Sequence, residues 1–266
     1  MRDLSLKDST TKIVRMILHH DAIDPRLWDL FVARHPSGHI LQSARWGTLK
    51  SRFGWRCRRV AVAQSDDVLL AGAQILFRRV AGLTVAYVPR GPVVDWQNAA
   101  AVTALLNAMQ KAARRHRAWA LWLEPEFWDT PAAHKQLQTI GLKLTPRTIQ
   151  PPRTIIVDIA PAEDEILAKM RSKTLYNIRL AGRKGVTVRE GTLDDAATFY
   201  KLMTETGERD TFGIHSEAYY QRVFELFLPS RAAPAGQAAL LLAEVEGEPV
   251  AALVVFALGA KAWYIY

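Results

Sequence analysis

RRVAVAQ (Arg58–Gln64), VLLAGAQILFRRV (Val68–Val80) and LTVAYVPRG (Leu83–Gly91) are three consecutive strand-like runs, and their grouping decides the fold. Ser65-Asp66-Asp67 and Gly82 supply the turn signals between them. The same grouping returns near the other end as AALLLAEVEG (Ala238–Gly247), EPVAALVVFALG (Glu248–Gly259) and AKAWYIY (Ala260–Tyr266). There Glu246-Gly247 reads as a tight hairpin. VLLAGAQILFRR and PVAALVVFALGA hold equivalent places, as do LTVAYVPRG and KAWYIY.

Helical spacings precede each meander. Leu27, Leu30, Phe31 and Val32 mark a helix over residues 25–34. LQSARWGTLKSRFGW (Leu41–Trp55) marks a second: Gln42 and Ser43 can cap it, Trp46, Leu49 and Phe53 line one face, and Gly54 ends it. After the first meander come a helix over Asn98–Arg117, an apolar strand AWALWLEPE (Ala118–Glu126) and a helix over Pro131–Ile140. The proline-bearing connector LTPRTIQPPRT (Leu144–Thr154) separates the halves. In the second half TIIVDIA (Thr154–Ala160) reads as a strand. Helices follow over Glu163–Arg183, Leu193–Glu208 (Phe199, Leu202 and Met203 inward) and Ser216–Leu228, the last capped by Ser216. The chain is thus an α/β (α+β) protein with an internally duplicated unit. Its parts are a flexible tail over residues 1–12, a first domain over 13–150 and a second over 151–266. The second copy lacks the helix, strand and helix that follow the first meander, so it is expected to be incomplete at its C-terminus.

The 266 residues carry 35 Lys and Arg against 26 Asp and Glu, a formal charge of +9 that favours anionic partners. The charge is densest in ILAKMRSKTLYNIRLAGRKGVTVR (Ile166–Arg189), which holds Lys169, Arg171, Lys173, Arg179, Arg183, Lys184 and Arg189 and no acid. A solvated helix face is the ordinary reading of such a run. The unmixed sign and the interleaved Tyr176 favour an anion, phosphate first, lying across it. Arg179 and Arg183, four apart, share a helix face. Cys57 is the only cysteine, so no internal disulfide forms; it sits at a strand start with no marked histidine partner, which argues against a nucleophile. The N-terminus has no signal-peptide apolar core, and no apolar run is long enough to span a bilayer. A cytoplasmic protein is expected, with its positive surface able to touch the inner membrane face.

Five motifs occur in order: LQSARWGTLK (41–50), YVPRGPVVD (87–95), LWLEPE (121–126), KTLYNIRLAGRKGV (173–186) and FGIHSEAYY (212–220). With them the chain resembles the FemABX-like peptidoglycan aminoacyltransferases. The resemblance implies two tandem acetyltransferase-like (GNAT) domains, the second truncated here. It implies transfer of an amino acid from aminoacyl-tRNA to a stem-peptide amine on lipid II or UDP-MurNAc-pentapeptide, by a monomer with no metal or other cofactor. It also assigns residues. Lys50 is expected to contact the precursor diphosphate, and His215 a second phosphate. Tyr219 either bonds substrate or packs with Tyr220. Tyr266 and Trp119 occupy cleft tyrosine positions. Arg90 holds an anion or pins its own turn. Lys173, Arg179, Arg183 and Lys184 contact tRNA or precursor phosphates. Glu124, at a strand end before Pro125 where side chains reach a cleft, is the best carboxylate to accept the amine proton; the resemblance leaves open whether this position is a base or only positions the substrate. Two other readings remain open: an acyl-CoA N-acetyltransferase, against which the two prolines of PRGPVVD speak because they remove backbone donors, and a non-catalytic protein binding tRNA or a membrane surface.

Overall fold

The computed structural model describes residues 16–19, 23–65, 67–229 and 237–266. The tail expected over residues 1–12 and Asp66 of the first turn lie outside the described residues. The chain divides into two units, Met1–Gln150 and Pro151–Tyr266.

The first unit is built on one sheet. Strands β1 (Met16–His19), β2 (Arg56–Ser65), β3 (Val68–Val80), β4 (Leu83–Val88) and β6 (Ala118–Leu123) lie in the order β1-β2-β3-β4-β6, and the two-residue β5 (Val93–Val94) also pairs with β3. All pairs are antiparallel except β4–β6, which is parallel. The helix α3 (Ala99–Arg115), capped by the Asn98 side chain, has Leu105 and Met109 fully buried in a cluster with Val60, Val62, Ala73, Ile75, Phe77 and Ala86. Each of those two side chains contributes about 1.5–3 kcal/mol by leaving water. Helices α1 (Pro25–Arg34) and α2 (Ala44–Arg52) serve the alternate strand residues: a Cβ at Gly72 would meet the Trp28 ring at 2.5 Å. α1 buries Trp28 and Val32, whereas Leu30 is exposed. The helix α4 (Pro131–Thr139) follows β6.

Gln42 does not cap α2; Ser43 alone does, its hydroxyl accepting from the Trp46 N–H at 3.2 Å. Gln42 instead fills a gap in the sheet. β3 pairs with β4 through residues 76–80 and with β5 through Ala71 and Gly72, which leaves Gln74 between the two partners. There the Gln42 side-chain amide stands in for a strand. Its Oε1 accepts the Gln74 N–H at 2.8 Å, and its Nε2 donates to Pro89 O at 2.7 Å and Gln74 O at 3.4 Å. The Gln74 amide in return donates to Ser43 O at 2.8 Å and Leu41 O at 3.3 Å. Both glutamines have no exposed surface. Gly91 is required opposite them, because a Cβ there would lie 2.8 Å from the Gln42 amide carbon.

The second unit holds a four-stranded antiparallel sheet in the order β10-β9-β8-β7, from β7 (Thr187–Glu190), β8 (Ala238–Val245), β9 (Glu248–Leu258) and β10 (Lys261–Tyr264). The β8–β9 turn places Glu246 at φ 53° and Gly247 at φ 82°, the double positive φ of a tight hairpin. Helices α7 (Ala196–Asp210) and α8 (Glu217–Phe227) supply the buried aromatic set: Phe199 meets Phe224 edge-on at 5.2 Å, and Phe227 meets Phe256 at 5.1 Å.

Several expectations fail here. Thr154–Ala160 forms no strand; it pairs with no described strand and its residues are exposed, Ile155 at 89% and Ile156 at 74%. A strand-like composition becomes a strand only where a neighbour completes the ladder. The long helix expected over Glu163–Arg183 is two, α5 (Glu163–Ala168) and α6 (Ser172–Arg183). Neither proline nor glycine marks the break. Ser216 sits at the N-cap of α8, yet its hydroxyl makes no capping bond. The short strands β1, β5 and β7 were not announced by the pattern.

Replacing Gln42 by Leu strips partners from the Gln74 N–H and Pro89 O. It should lower the unfolding free energy by about 2 kcal/mol or more in urea denaturation, because each orphaned buried group costs about 1–3 kcal/mol.

Candidate functional site

The first unit gathers polar groups around the last turn of α2, the Leu76–Arg78 stretch of β3 and the C-terminal ends of β4 and β6. Lys50, in the last turn of α2, lies with its ammonium 5.2 Å from the Trp46 ring centroid. Burial, with the nearby Arg78 charge, brings its pKa down to about 8. Arg78 in turn covers the Trp55 ring at 5.4 Å, and Trp55 lies 6.3 Å from Tyr87. The register explains the grouping: Leu76 faces Tyr87 and Arg78 faces Val85, so Arg78 and Tyr87 share one face of the sheet. Trp55 and Trp122 pack with Cys57, Leu76 and Tyr87 beneath them. Burial pushes the Cys57 thiol up to about 12, so it is not a nucleophile near neutral pH.

Glu124 follows β6 and is occupied by its own unit. Its carboxylate accepts the Tyr87 hydroxyl and the backbone N–H groups of Ile149 and Gln150, the latter at 3.2 Å. The Gln150 amide adds a bond to the Tyr87 hydroxyl at 3.1 Å. Burial and the donation to Glu124 push the Tyr87 phenol well above its ordinary range. Glu124 therefore ties the last residues of the first unit to its sheet. Arg90 is half-buried at φ 46°, between the Pro89 carbonyl held by Gln42 and the tightly fitted Gly91.

Trp119 does not join this group. It stands near the start of β6, 74% exposed, while Tyr87 and Glu124 lie at the other end of β4 and β6. Trp122 and Trp55, which the sequence reading passed over, are the indoles that pack on Tyr87. Strand alternation was the signal that could have found Arg78 and Trp122. Nothing local announced Gln150.

The second unit has its own polar pocket, about 490 Å³, lined by Phe199, Thr206, Arg209, His215, Tyr220 and Tyr266 among others. The Tyr219 and Tyr266 hydroxyls lie 2.9 Å apart. The His215 ring stacks on Tyr219 at 3.8 Å, and its backbone N–H donates to the Tyr220 hydroxyl at 3.3 Å. Tyr219 and Tyr220 are both buried with their rings edge-on at 5.9 Å, the arrangement of the packing reading. Burial raises the phenols of Tyr219 and Tyr266, which stay protonated as donors at neutral pH.

On α6 the residues Lys173, Tyr176, Arg179 and Arg183 recur at three- and four-residue spacing, forming one exposed stripe that Lys184 extends. Arg183 lies 6.0 Å from the Tyr176 ring centroid. Arg189 leaves the set. It is in β7 and bonds Asp195 at 2.6 and 2.9 Å and Glu244 at 2.7 Å, acids that no local reading of a basic run could supply.

The FemAB family matches residues 23–246. The chain is similar to the lipid II:glycine glycyltransferase of Staphylococcus saprophyticus, 32% identical over 233 residues that make up 84% of this chain and 55% of that protein. It is similar to the Staphylococcus aureus protein of the same name, 34% identical over 208 residues, 74% of this chain and 49% of that protein. The fold matches a crystal structure of FemX with a TM-score of 0.82 at 24% identity, over 95% of this chain and 80% of that one. The chain belongs to the FemAB family. It spans about half the length of the curated relatives it matches.

Substituting Glu124 by Gln turns one of the two acceptor oxygens into a donor NH2 and leaves three donors to share the other. Thermal unfolding should show a loss of about 1–3 kcal/mol. Protease cutting near residues 149–150 should rise with it. An unchanged transition and cutting pattern would remove the tethering role.

Proposed function

We propose that this chain moves an aminoacyl group from aminoacyl-tRNA onto the side-chain amine of a peptidoglycan stem peptide, carried by lipid II or a UDP-linked precursor such as UDP-MurNAc-pentapeptide. The observation that carries this reading is the alignment of most of the chain, at 32–34% identity, with proteins named lipid II:glycine glycyltransferase. Each unit is read as an acetyltransferase-like domain, and the reaction is read as needing no metal or other cofactor.

The chemistry is aminolysis of an ester. The neutral amine attacks the aminoacyl carbonyl, an amide bond forms, the carbon–oxygen bond to the tRNA ribose breaks, and the ribose oxygen leaves as a hydroxyl, taking up the proton that the amine gives up. The ester is already activated, so positioning can supply most of the rate, up to about 7–11 kcal/mol. In this reading Lys50 holds the precursor diphosphate as a point charge. His215, Tyr219 and Tyr266 offer hydrogen bonds from the second unit's pocket, and the Lys173–Lys184 stripe takes tRNA phosphates. Glu124 is assigned a positioning role: its carboxylate accepts bonds from Tyr87 and the backbone at 149–150, which holds that corner of the sheet in place. No helix among the described residues is long and apolar enough to cross a membrane. A monomer working at the cytoplasmic face of the membrane suits a lipid-linked acceptor.

The test uses the 266-residue chain, labelled glycyl-tRNA and other charged tRNAs, and lipid II or UDP-MurNAc-pentapeptide. Label should pass to the acceptor. Lys50→Ala should lower kcat/KM by about ten-fold or more, roughly 1.4 kcal/mol, with tRNA binding unchanged. No transfer from any charged tRNA to either acceptor would overturn the reading.

The lysine also predicts a pH profile. Its ammonium is the phosphate-binding form, and it is fully present below pH 8 and lost as pH rises through about 8. The acceptor KM should therefore climb above pH 8 in the wild type and stay flat in Lys50→Arg. A flat wild-type profile would count against a contact between Lys50 and phosphate.

A further inference from the structure

One end of the first unit's sheet carries a feature that the transferase reading does not use. The β3–β4 hairpin turns through Ala81 at φ 49° and Gly82 at φ 83°, and it presents Val80 and Leu83, cross-strand partners, at 53% and 52% exposure. β6 starts at the same end: Thr84 pairs with Ala118, and Trp119 beside it is 74% exposed. Three large apolar side chains are thus held in water at one place, which costs free energy unless something covers them.

The surroundings are strongly basic. Arg56, Arg79, Thr84 and His116 line a concavity of about 400 Å³ at this end, which Arg78 and Trp55 of the Lys50 group also border. Arg114, Arg115 and Arg117 come from the end of α3 and the turn into β6. Residues 54–58, 77–85 and 111–120, which form this end, contain no Asp or Glu. Residues 30–123 hold fourteen Lys and Arg against three Asp, so the positive excess of the whole protein resides in the first unit.

We propose that this end of the first unit, the Val80–Leu83 hairpin tip and Trp119 ringed by arginines, docks on an anionic phospholipid bilayer. The arginines meet the phosphate headgroups, the indole sits at the headgroup level where tryptophan is preferred, and the two aliphatic side chains enter the acyl boundary. An RNA backbone would satisfy the guanidinium groups and the indole, but it would leave Val80 and Leu83 in water. That difference favours a lipid surface. The proposal deepens the reading of a lipid-linked acceptor and takes its purpose from it. Its measurement is independent, because the vesicles below contain neither acceptor nor tRNA.

The test is co-sedimentation of the chain with vesicles of phosphatidylglycerol and phosphatidylcholine, against vesicles of phosphatidylcholine alone. Binding should require phosphatidylglycerol and weaken with salt. Arg79→Gln and Arg117→Gln should each weaken it about five-fold at low salt. Val80→Ser/Leu83→Ser keeps every charge and should weaken it about ten-fold or more. Circular dichroism and thermal unfolding check that each variant is folded; if the double serine variant is not, Leu83→Ala replaces it with the same expected direction. Absence of binding to phosphatidylglycerol vesicles would overturn the proposal. So would folded hairpin-tip variants that bind as the wild type does. Arginine-dependent binding to tRNA with no vesicle binding would assign the surface to RNA instead and overturn it as well.

Discussion

The side-chain amides of Gln42 and Gln74 lie in a gap of the first unit's sheet with no exposed surface, and the placement of α2 follows from them. On one edge Gln74 pairs with Arg59 of β2, but on the other edge β3 has partners on either side of Gln74, β4 and β5, and none at it. A buried peptide group without a partner is expensive, and the Gln42 amide supplies both the acceptor and the donor that a strand would have offered. Through its bond to Pro89 O the same amide fixes the turn that carries Arg90 and Gly91. Through the Ser43 and Leu41 carbonyls Gln74 anchors the entry to α2. Lys50, two turns further on, inherits its position from that anchor.

Position then sets the electrostatics. Lys50 is half-buried near Arg78, so its charge is held with little help from water, and an anion that neutralises it recovers that cost. Tyr87, Gln150 and Glu124 show the opposite arrangement: a carboxylate whose bonds are all met from within its own unit. In the proposed reading the first group meets a ligand, whereas the bonds of the second serve the structure of its own unit. Reading both simply as charged residues in a family motif hides the difference. The basic segment divides in the same way. Arg179 and Arg183 face water on one stripe, whereas Arg189, six residues on, is held by Asp195 and Glu244.

Much of the fold was legible because it rests on local signals. The two meanders, the helix capped by Asn98 and the Glu246-Gly247 hairpin follow from composition, capping and turn chemistry that act within a few residues. What escaped depends on distant partners. Thr154–Ala160 has the composition of a strand but no neighbour among the described residues. Gln42 looks like a cap and is a piece of the sheet, because the gap it fills is made by residues thirty and more positions away. Lys50 in the first unit and His215, Tyr219 and Tyr266 in the second were singled out by motif, and each sits in polar or aromatic surroundings of its own unit. Trp119 was singled out the same way and stands at the far end of its strand. Motif spacing says which residues travel together in sequence; strand direction decides which end of the sheet they reach.

The most direct test of this account follows the Lys50 side chain itself, by NMR of lysine-labelled protein across a pH titration with and without UDP-MurNAc-pentapeptide. The account predicts a midpoint near 8 in the free protein and an upward shift when the diphosphate binds, because the anion stabilises the ammonium. A midpoint at the ordinary lysine value near 10.4, unmoved by the precursor, would contradict it.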